Sequence, residues 1–412
     1  MNTLPARSVA VVLGTRPELV KLAELCRILG PAARILHTGQ HYDEELSGAF
    51  LAELGLPEPE YLTGVGGRPR ARQIAAALRG LDERFAAEAP RVVVVQGDTN
   101  AALSGALAAN ARALPLVHVE AGLRSHDRAM PEEHNRVLVD RLSDVLCAAT
   151  EQNRALLIAE GIPADRVTVT GNTVVEAVHA HLPPPGDRAR LLTGHGLLTD
   201  GYALATVHRP ENTDDAAVLA TVLRELGALA AELPVVLPLH PRTRARIEAA
   251  GLSPLLAGLM VLPPTGYGEF LALARQAALI VSDSGGIQEE TTVLGRPLIV
   301  VRTSTERPEC LTDFADLVAP GPAIGAAARR RLAEGAEGLR RLSALPSPYG
   351  DGTASRRIAE LIAEAARRTA ESGCTAESGS TAESGCTTGP ACTSGPGRTT
   401  GPGRTADLEA AA

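Results

Sequence analysis

Residues able to do acid–base chemistry fall again and again at the ends of apolar runs in this sequence, and three of them are carboxylates. The run Val92–Gln96 delivers Gly97-Asp98-Thr99-Asn100, and Leu116–Val119 delivers Glu120-Ala121-Gly122-Leu123-Arg124. Shortly after, Met130-Pro131-Glu132-Glu133-His134-Asn135-Arg136 opens a further helical stretch. Asp98, Glu120 and Glu133 can therefore converge on one cleft. Crowded, part-buried carboxylates push their pKa values apart, which supplies one acid and one base at neutral pH. Helix capping is the plain alternative for Asp98 and Glu133. Glu120 is harder to explain that way, because an acid just after an apolar strand needs a partner or a ligand.

Other strand ends carry the means to hold an anion. Val9–Leu13 runs into Gly14-Thr15-Arg16-Pro17-Glu18 and then a helix bearing Lys21. The glycine frees the turn, Pro17 suits a first helical turn, and the helix start offers unpaired N–H groups. Arg16 adds a fork of donors, with Lys21 about one turn further on. A capped βα turn with surface cations is the structural alternative, and the GxGxxG dinucleotide fingerprint is missing. Later in the chain Ala203–Val207 ends in His208-Arg209-Pro210-Glu211-Asn212, and Val235–Leu239 ends in His240. Each histidine is a candidate acid, base or phosphate ligand, and a lone strand-end histidine is often structural. The run Ser282-Asp283-Ser284-Gly285-Gly286-Ile287-Gln288-Glu289-Glu290 is sharper. A strand leading into Ser-Gly-Gly and a helix puts bare N–H groups and a hydroxyl where a diphosphate can sit. Glu290 lies about one turn into that helix, within reach of ribose hydroxyls. Arg302, Thr305, Glu306 and Arg307 follow the next strand and can close the same mouth.

Positioning these residues takes a particular scaffold. Short β-rich runs alternate with longer helical patterns, the signature of a parallel sheet covered on both faces. Strands are expected at Val9–Leu13, Arg34–His37, Val92–Gln96, Leu116–Val119, Val145–Ala148 and Val167–Thr170, with helices such as Pro17–Leu29, Ala71–Ala89, Ala101–Ala111 and Gln152–Glu160. After a Pro-rich break at His181–Gly186 a second series follows: Ala203–Val207, Val235–Leu239, Met260–Leu262, Leu279–Ser282 and Leu298–Val301. The expected architecture is α/β, with two Rossmann-like doubly wound domains facing a cleft. The first spans 1–172 and carries the carboxylates, joined by a last helix at about 353–368; the second spans 173–352. In open α/β sheets the ligand lies beyond the carboxyl ends of the strands, which is where the polar residues gather.

The 412 residues suffice for two such cores, built mainly from Ala, Leu and Val, since Trp is absent and aromatics are only 2%. A net charge of −8 argues against nucleic acid as the main partner. The six cysteines form no CxxC pair or metal-spaced cluster, so no metal is expected. The first apolar run, Ser8–Leu13, is too short for a signal peptide or membrane span, and the expectation is a reduced, cytoplasmic protein that does not engage a membrane. Residues 369–412 differ in kind. Six hexapeptides of the TAESGC and TTGPGR type, without apolar periodicity, cannot offset the entropy of ordering and read as a disordered appendage.

Taken together, the motifs resemble the non-hydrolysing UDP-N-acetylglucosamine 2-epimerases, which share the two-domain fold of GT-B glycosyltransferases. They are GTRPE at 14–18, QGDT at 96–99, HVEAGLR at 118–124, MPEEHNR at 130–136, TGNT at 170–173, HRPEN at 208–212, SDSGGIQEE at 282–290, TERPE at 305–309 and PYGDG at 348–352. No single motif decides the matter, but the ordered set covers about residues 8–367. The resemblance implies a reaction without cofactor. A base removes the hydrogen at sugar C2 while UDP leaves C1, giving 2-acetamidoglucal, and UDP adds back after a proton returns to the opposite face. It implies Asp98, Glu120 and Glu133 as catalytic acids and bases, with Lys21 and His208 assisting departure of UDP. Arg16, Arg136, His240 and Arg307 are implied as substrate-binding, Ser284, Gly285 and Gly286 as the diphosphate cradle, and Glu290 as the ribose ligand. It also implies domain closure over the intermediate and a homodimer. A second UDP-N-acetylglucosamine acts as activator in some members, and here two departures touch that region. Pro210 replaces the second Arg of the Arg-Arg-Glu found in many bacterial members, and the Ser125–Met130 loop is short. Gln40-His41, associated with that site, is present. The rival readings are a hydrolysing epimerase releasing N-acetylmannosamine, a 2-epimerase of a modified UDP-sugar, and a GT-B glycosyltransferase.

Overall fold

Runs such as Val92–Val95 and Leu298–Val301 have no polar face to turn to water, so each demands a layer of helices on both sides. The computed structural model, which describes residues 4–40, 51 and 54–377, meets that demand twice. Among the described residues the strands form two fully parallel sheets. The first contains β1 (Val9–Leu13), β2 (Ala33–His37), β3 (Glu60–Tyr61), β4 (Val92–Gln96), β5 (Leu116–Ala121), β6 (Val145–Ala148) and β7 (Val167–Val169), in the order β3-β2-β1-β4-β5-β6-β7. The second contains β8 (Ala203–Thr206), β9 (Val235–Pro238), β10 (Met260–Leu262), β11 (Leu279–Ser282), β12 (Leu298–Val301) and β13 (Ala315–Val318), in the order β10-β9-β8-β11-β12-β13.

Alternation along each strand sorts its residues into two layers. Val9, Val11 and Leu13 of β1 pack with Leu22 and Leu25 of the Arg16–Leu29 helix and with Ile358 and Ile362 of the final helix. Ala10 and Val12 face the other way, onto Phe85, Ala102 and Ala106. In the second sheet Leu204 and Ile280 join one layer, while Ala203, Ala205 and Val281 join the other with Leu219 and Leu223. The strand order turns back on itself between β1 and β4, and again between β8 and β11. Loops leave in opposite directions there, which opens a crevice at the carboxyl edge of each sheet.

The differences from the sequence expectation have local causes. The edge strands β3 and β13 were not foreseen: one is two residues long and the other is mostly half-buried, so neither shows a clear apolar run. β5 continues past Val119 through Glu120 to Ala121, with a register shift against β6 at that point. The final helix, Ala354–Glu377, runs past residue 368, where the expected helix stops. The rest of the repeat segment, 378–412, lies outside the described residues, as does His41.

The chain passes between the two halves at two adjacent points. The Asn172 N–H donates to the Tyr349 carbonyl at 2.8 Å. Gly171 (φ +85°) and Gly350 (φ +110°) lie back to back, and a Cβ on Gly350 would stand 3.2 Å from the Gly171 Cα. Only glycine fits both the left-handed backbone and that approach. Beside the crossing, the buried Glu176 carboxylate accepts from the Ser355 N–H at 2.9 Å, satisfying the first turn of the final helix.

Among the described residues no helix is long and apolar enough to cross a membrane. Burial pushes the Cys26, Cys147 and Cys310 thiols up to about 12, so none supplies a thiolate nucleophile near neutral pH.

Candidate active site

The carboxyl edges of the two sheets enclose a cavity of about 680 Å³, a size that suits a nucleotide-sized ligand. Of the residues singled out from sequence, Arg16, Lys21, Asp98, Glu120, His208, Ser284, Gly285, Gly286, Glu290 and Arg307 line it.

Glu120 sits at the β5 irregularity with φ +69°, a conformation a glutamate adopts at a cost of about 1–3 kcal/mol and only when its surroundings hold it. They do so through four donors. Lys21 Nζ lies 2.6 Å and Gln96 Nε2 2.8 Å from Oε2, which Asn172 Nδ2 also reaches at 3.3 Å. Arg307 Nη2 lies 3.0 Å from Oε1. Burial alone raises a carboxyl pKa, but Lys21 and Arg307 more than offset it and hold Glu120 below the ordinary range. It is an anion at neutral pH.

Asp98 is bound differently. Its Oδ2 meets Arg136 Nη2 at 2.5 Å, and its other oxygen has no hydrogen-bond partner among the described residues. The side chain keeps 26% of its surface exposed, toward the cavity it lines. A tethered carboxylate with one open oxygen is suited to taking a proton from a ligand.

Glu133 and Arg136 do not line the cavity. The Glu133 carboxylate accepts from the Ser125 N–H at 2.9 Å, the Ser125 hydroxyl at 3.0 Å, the His126 N–H at 3.0 Å and Arg136 Nη1 at 2.7 Å. It ties the 125–126 turn to the Pro131–Leu142 helix and delivers Arg136 to Asp98. His240 does not line the cavity either: it caps the Pro241–Ala249 helix, its ring accepting from the Arg242 N–H at 3.2 Å.

The opposite wall is the start of the Gly285–Leu294 helix, whose first N–H groups have no intrahelical acceptor. A Cβ on Gly285 would stand 2.8 Å from Arg307 Nη1 and 2.9 Å from Glu306 Oε1, whereas one on Gly286 would meet nothing within 4 Å. A side chain at the first glycine would push the Arg307 and Glu306 ends aside, and the second leaves the backbone bare to a ligand. Behind them Glu306 is buried against Arg302 (3.0 Å), Arg307 and Arg136 (3.7 Å). Burial raises its carboxyl, but these cations hold it well below the usual carboxylate range. His208 is tethered through Nδ1 to Asp283 at 3.0 Å, which leaves Nε2 for a ligand.

The comparisons with known proteins agree on one family. Residues 30–363 match the family described as UDP-N-acetylglucosamine 2-epimerase. The chain is 36% identical over 363 residues to the UDP-N-acetylglucosamine 2-epimerase of Methanocaldococcus jannaschii, covering 86% of this chain and 98% of that one. The chain belongs to the UDP-N-acetylglucosamine 2-epimerase family. It is also 35% identical over 366 residues to the UDP-2,3-diacetamido-2,3-dideoxy-D-glucuronate 2-epimerase of Pseudomonas aeruginosa, covering 86% and 99%. The structure of the Neisseria meningitidis UDP-GlcNAc 2-epimerase bound to UDP-GlcNAc superposes with a TM-score of 0.78 at 30% identity, covering 86% of this chain and 99% of that one. The bound UDP-GlcNAc is that protein's ligand. For the present member of the 2-epimerase family the match confirms the two parallel-sheet α/β halves of the GT-B type.

Several site residues of this 2-epimerase family member carried no role in the sequence reading. Gln96, Asn172 and Glu18 stood inside quoted motifs but only the fold shows what they touch. Tyr267 donates to Glu290 Oε1 at 3.1 Å, and Glu289, beside Glu290, is fully buried. Burial raises the Glu290 carboxyl to about 7, against the Tyr267 hydrogen bond. Glu18 binds the Gly14 N–H (3.0 Å) and the Thr15 (2.8 Å) and Thr99 (2.9 Å) hydroxyls, so it ties the β1 and β4 loops together.

Burial also raises the Glu18 carboxyl from 4.5 to about 7, against those hydrogen bonds. A native state that keeps its proton longer than the unfolded chain gains stability below the unfolded pKa. That gain is lost as pH rises through the folded value, here about 3 kcal/mol between pH 4.5 and 7. Glu18→Gln is expected to flatten this part of the pH–melting profile, measured by circular dichroism; an unchanged slope would assign the loss to another group.

Proposed function

We propose that this chain interconverts UDP-N-acetylglucosamine and UDP-N-acetylmannosamine as a non-hydrolysing 2-epimerase. The observation that carries the reading is one cavity holding Asp98, with its open carboxylate oxygen, opposite the bare helix start at Ser284–Gly286. The cations Lys21, part-buried, and Arg307, buried, flank both. Asp98 takes the proton from C2 as the C1–oxygen bond to UDP breaks, and a C1–C2 double bond forms. The leaving diphosphate gains charge, which the helix N–H groups, Lys21, Arg307 and His208 Nε2 neutralise. A proton then returns to the opposite face of C2 and UDP adds back to C1. Glu120 keeps Lys21 and Arg307 in place, and Glu290, steadied by Tyr267, takes the ribose hydroxyls.

Proton NMR of the protein with UDP-N-acetylglucosamine in deuterated water, without nicotinamide, tests this. Deuterium at C2 in a mixture of the two UDP-sugars is the expected result. Free N-acetylmannosamine with UDP would move the chain to the hydrolysing branch. No reaction on this sugar, with turnover of the diacetamido-uronate nucleotide named for the Pseudomonas relative, would change the substrate and keep the chemistry.

A further inference from the structure

Beneath the cavity four charged side chains form a closed ring of alternating sign. Lys21 Nζ meets Glu120 Oε2 at 2.6 Å, Glu120 Oε1 meets Arg307 Nη2 at 3.0 Å, Arg307 Nε meets Glu289 Oε1 at 2.8 Å, and Glu289 Oε2 returns to Lys21 Nζ at 2.8 Å. Lys21, on the Arg16–Leu29 helix, and Glu120, in β5, come from the first half; Glu289, on the Gly285–Leu294 helix, and Arg307, after β12, come from the second. Asn172, at the crossing between the halves, spans the ring and donates to Glu289 at 2.9 Å and to Glu120 at 3.3 Å. Glu289 is wholly buried, accepts from Lys21 Nζ and Asn172 Nδ2, is ion-paired with Arg307, and does not line the cavity; burial raises its carboxyl, against the pull of Arg307 and Lys21.

The ring's connectivity has a physical consequence. Two of its four links, Lys21–Glu289 and Glu120–Arg307, join the halves, and the other two lie within one half each. Separating the halves cuts only the joining links and leaves each side with a matched pair, Lys21–Glu120 or Glu289–Arg307. No buried charge is stranded, so the large penalty for breaking one partner from a buried ion pair is avoided. Closure, conversely, pulls Lys21 and Arg307 to positions set by both acids at once.

We propose that Glu289 is a positioning residue that acts through Lys21 and Arg307, fixing the two cations for the departing diphosphate when the halves are joined. The inference rests on the epimerase reading above. It predicts a signature that a role in folding alone does not produce. In Glu289→Gln the ring keeps two cations and one anion, so its surplus positive charge favours a free diphosphate, while the cations lose the acid that aligned them.

The experiment measures UDP affinity by calorimetry and epimerase kinetics for wild type and E289Q. Expected are a UDP Kd about 3-fold lower and a kcat about 10-fold or more lower, opposite movements of binding and turnover. A kcat within 2-fold of wild type, or binding and turnover falling together, overturns the proposal. Should E289Q fail to fold, E289D keeps the charge on a shorter arm. It is expected to lose about 3–10-fold in kcat at unchanged UDP affinity, and wild-type kcat in E289D overturns the proposal equally. Wild type that binds UDP but does not epimerise overturns the epimerase reading and this inference with it; active wild type with unaltered variants overturns only the role of Glu289.

Discussion

Asp98→Asn is expected to lower kcat by about 10³-fold while leaving UDP affinity within a few-fold of wild type, because a general base contributes about 10²–10⁴ and an amide cannot accept the proton. The substitution is close to isosteric. Arg136 Nη2, 2.5 Å from Oδ2, can still donate to the amide oxygen, and the Asn135 amide still reaches the Asp98 backbone carbonyl at 2.7 Å. The loop geometry is therefore kept while the open oxygen loses its basicity. Steady-state kinetics and the rate of deuterium entry at C2 read the same step independently, and both are expected to fall. If exchange at C2 persists in Asp98→Asn within about 10-fold of wild type, another group takes the proton.

Arg307→Met is expected to have the largest effect on stability, about 3–5 kcal/mol, the usual cost of removing one partner from a buried ion-pair cluster. Arg307 contacts Glu120, Glu289 and Glu306, and its guanidinium packs against the Gly285 backbone. Methionine fills part of the volume and none of the charge. The pH dependence follows from the acids left behind. Glu120 and Glu306 are held below their unfolded values, so each contributes stability that is present above the unfolded carboxyl pKa and lost as pH falls through the folded one. The deficit in Arg307→Met is therefore expected to be greatest near neutral pH and to shrink toward pH 4, where the orphaned acids can take up protons. Urea midpoints across that range check both size and trend. A deficit independent of pH would mean that lost packing, not lost charge, dominates.

The parts of this molecule visible in its sequence were those governed by local pattern. Unbroken apolar runs demanded two-sided burial, and β1, β4, β6, β10, β11 and β12 lie at the boundaries that pattern implies. Polar residues directly after those runs could be placed at the sheet edges, which is why Asp98, Glu120, His208 and Ser284–Gly286 meet in one cavity. What stayed hidden depends on contacts between distant segments. Glu289 and Glu290 are neighbours on one helix, about 100° apart, and sequence alone does not say which faces the cavity and which the buried ion pairs. Glu133 carries the same side chain as Glu120 but stands in the first turn of the Pro131–Leu142 helix. Its carboxylate is taken up by the 125–126 turn, whose path no periodicity encodes. The bulge that turns Glu120 into the left-handed region likewise depends on Lys21, Gln96, Asn172 and Arg307, drawn from four separate segments.

The paired passage of the chain at Gly171 and Gly350 confines how the halves can swing. Two strands of backbone clasped by the Asn172–Tyr349 hydrogen bond behave as a pivot, because points on it cannot separate without breaking that bond. For any rotation, displacement grows with distance from the pivot. Asn172 is itself part of this clasp, so the groups it bridges, Glu120 and Glu289, sit on a short lever arm. If the halves turn about this clasp, as the proposed closure requires, the charges beside it are displaced less than groups farther away, and the links between them need only be stretched a little.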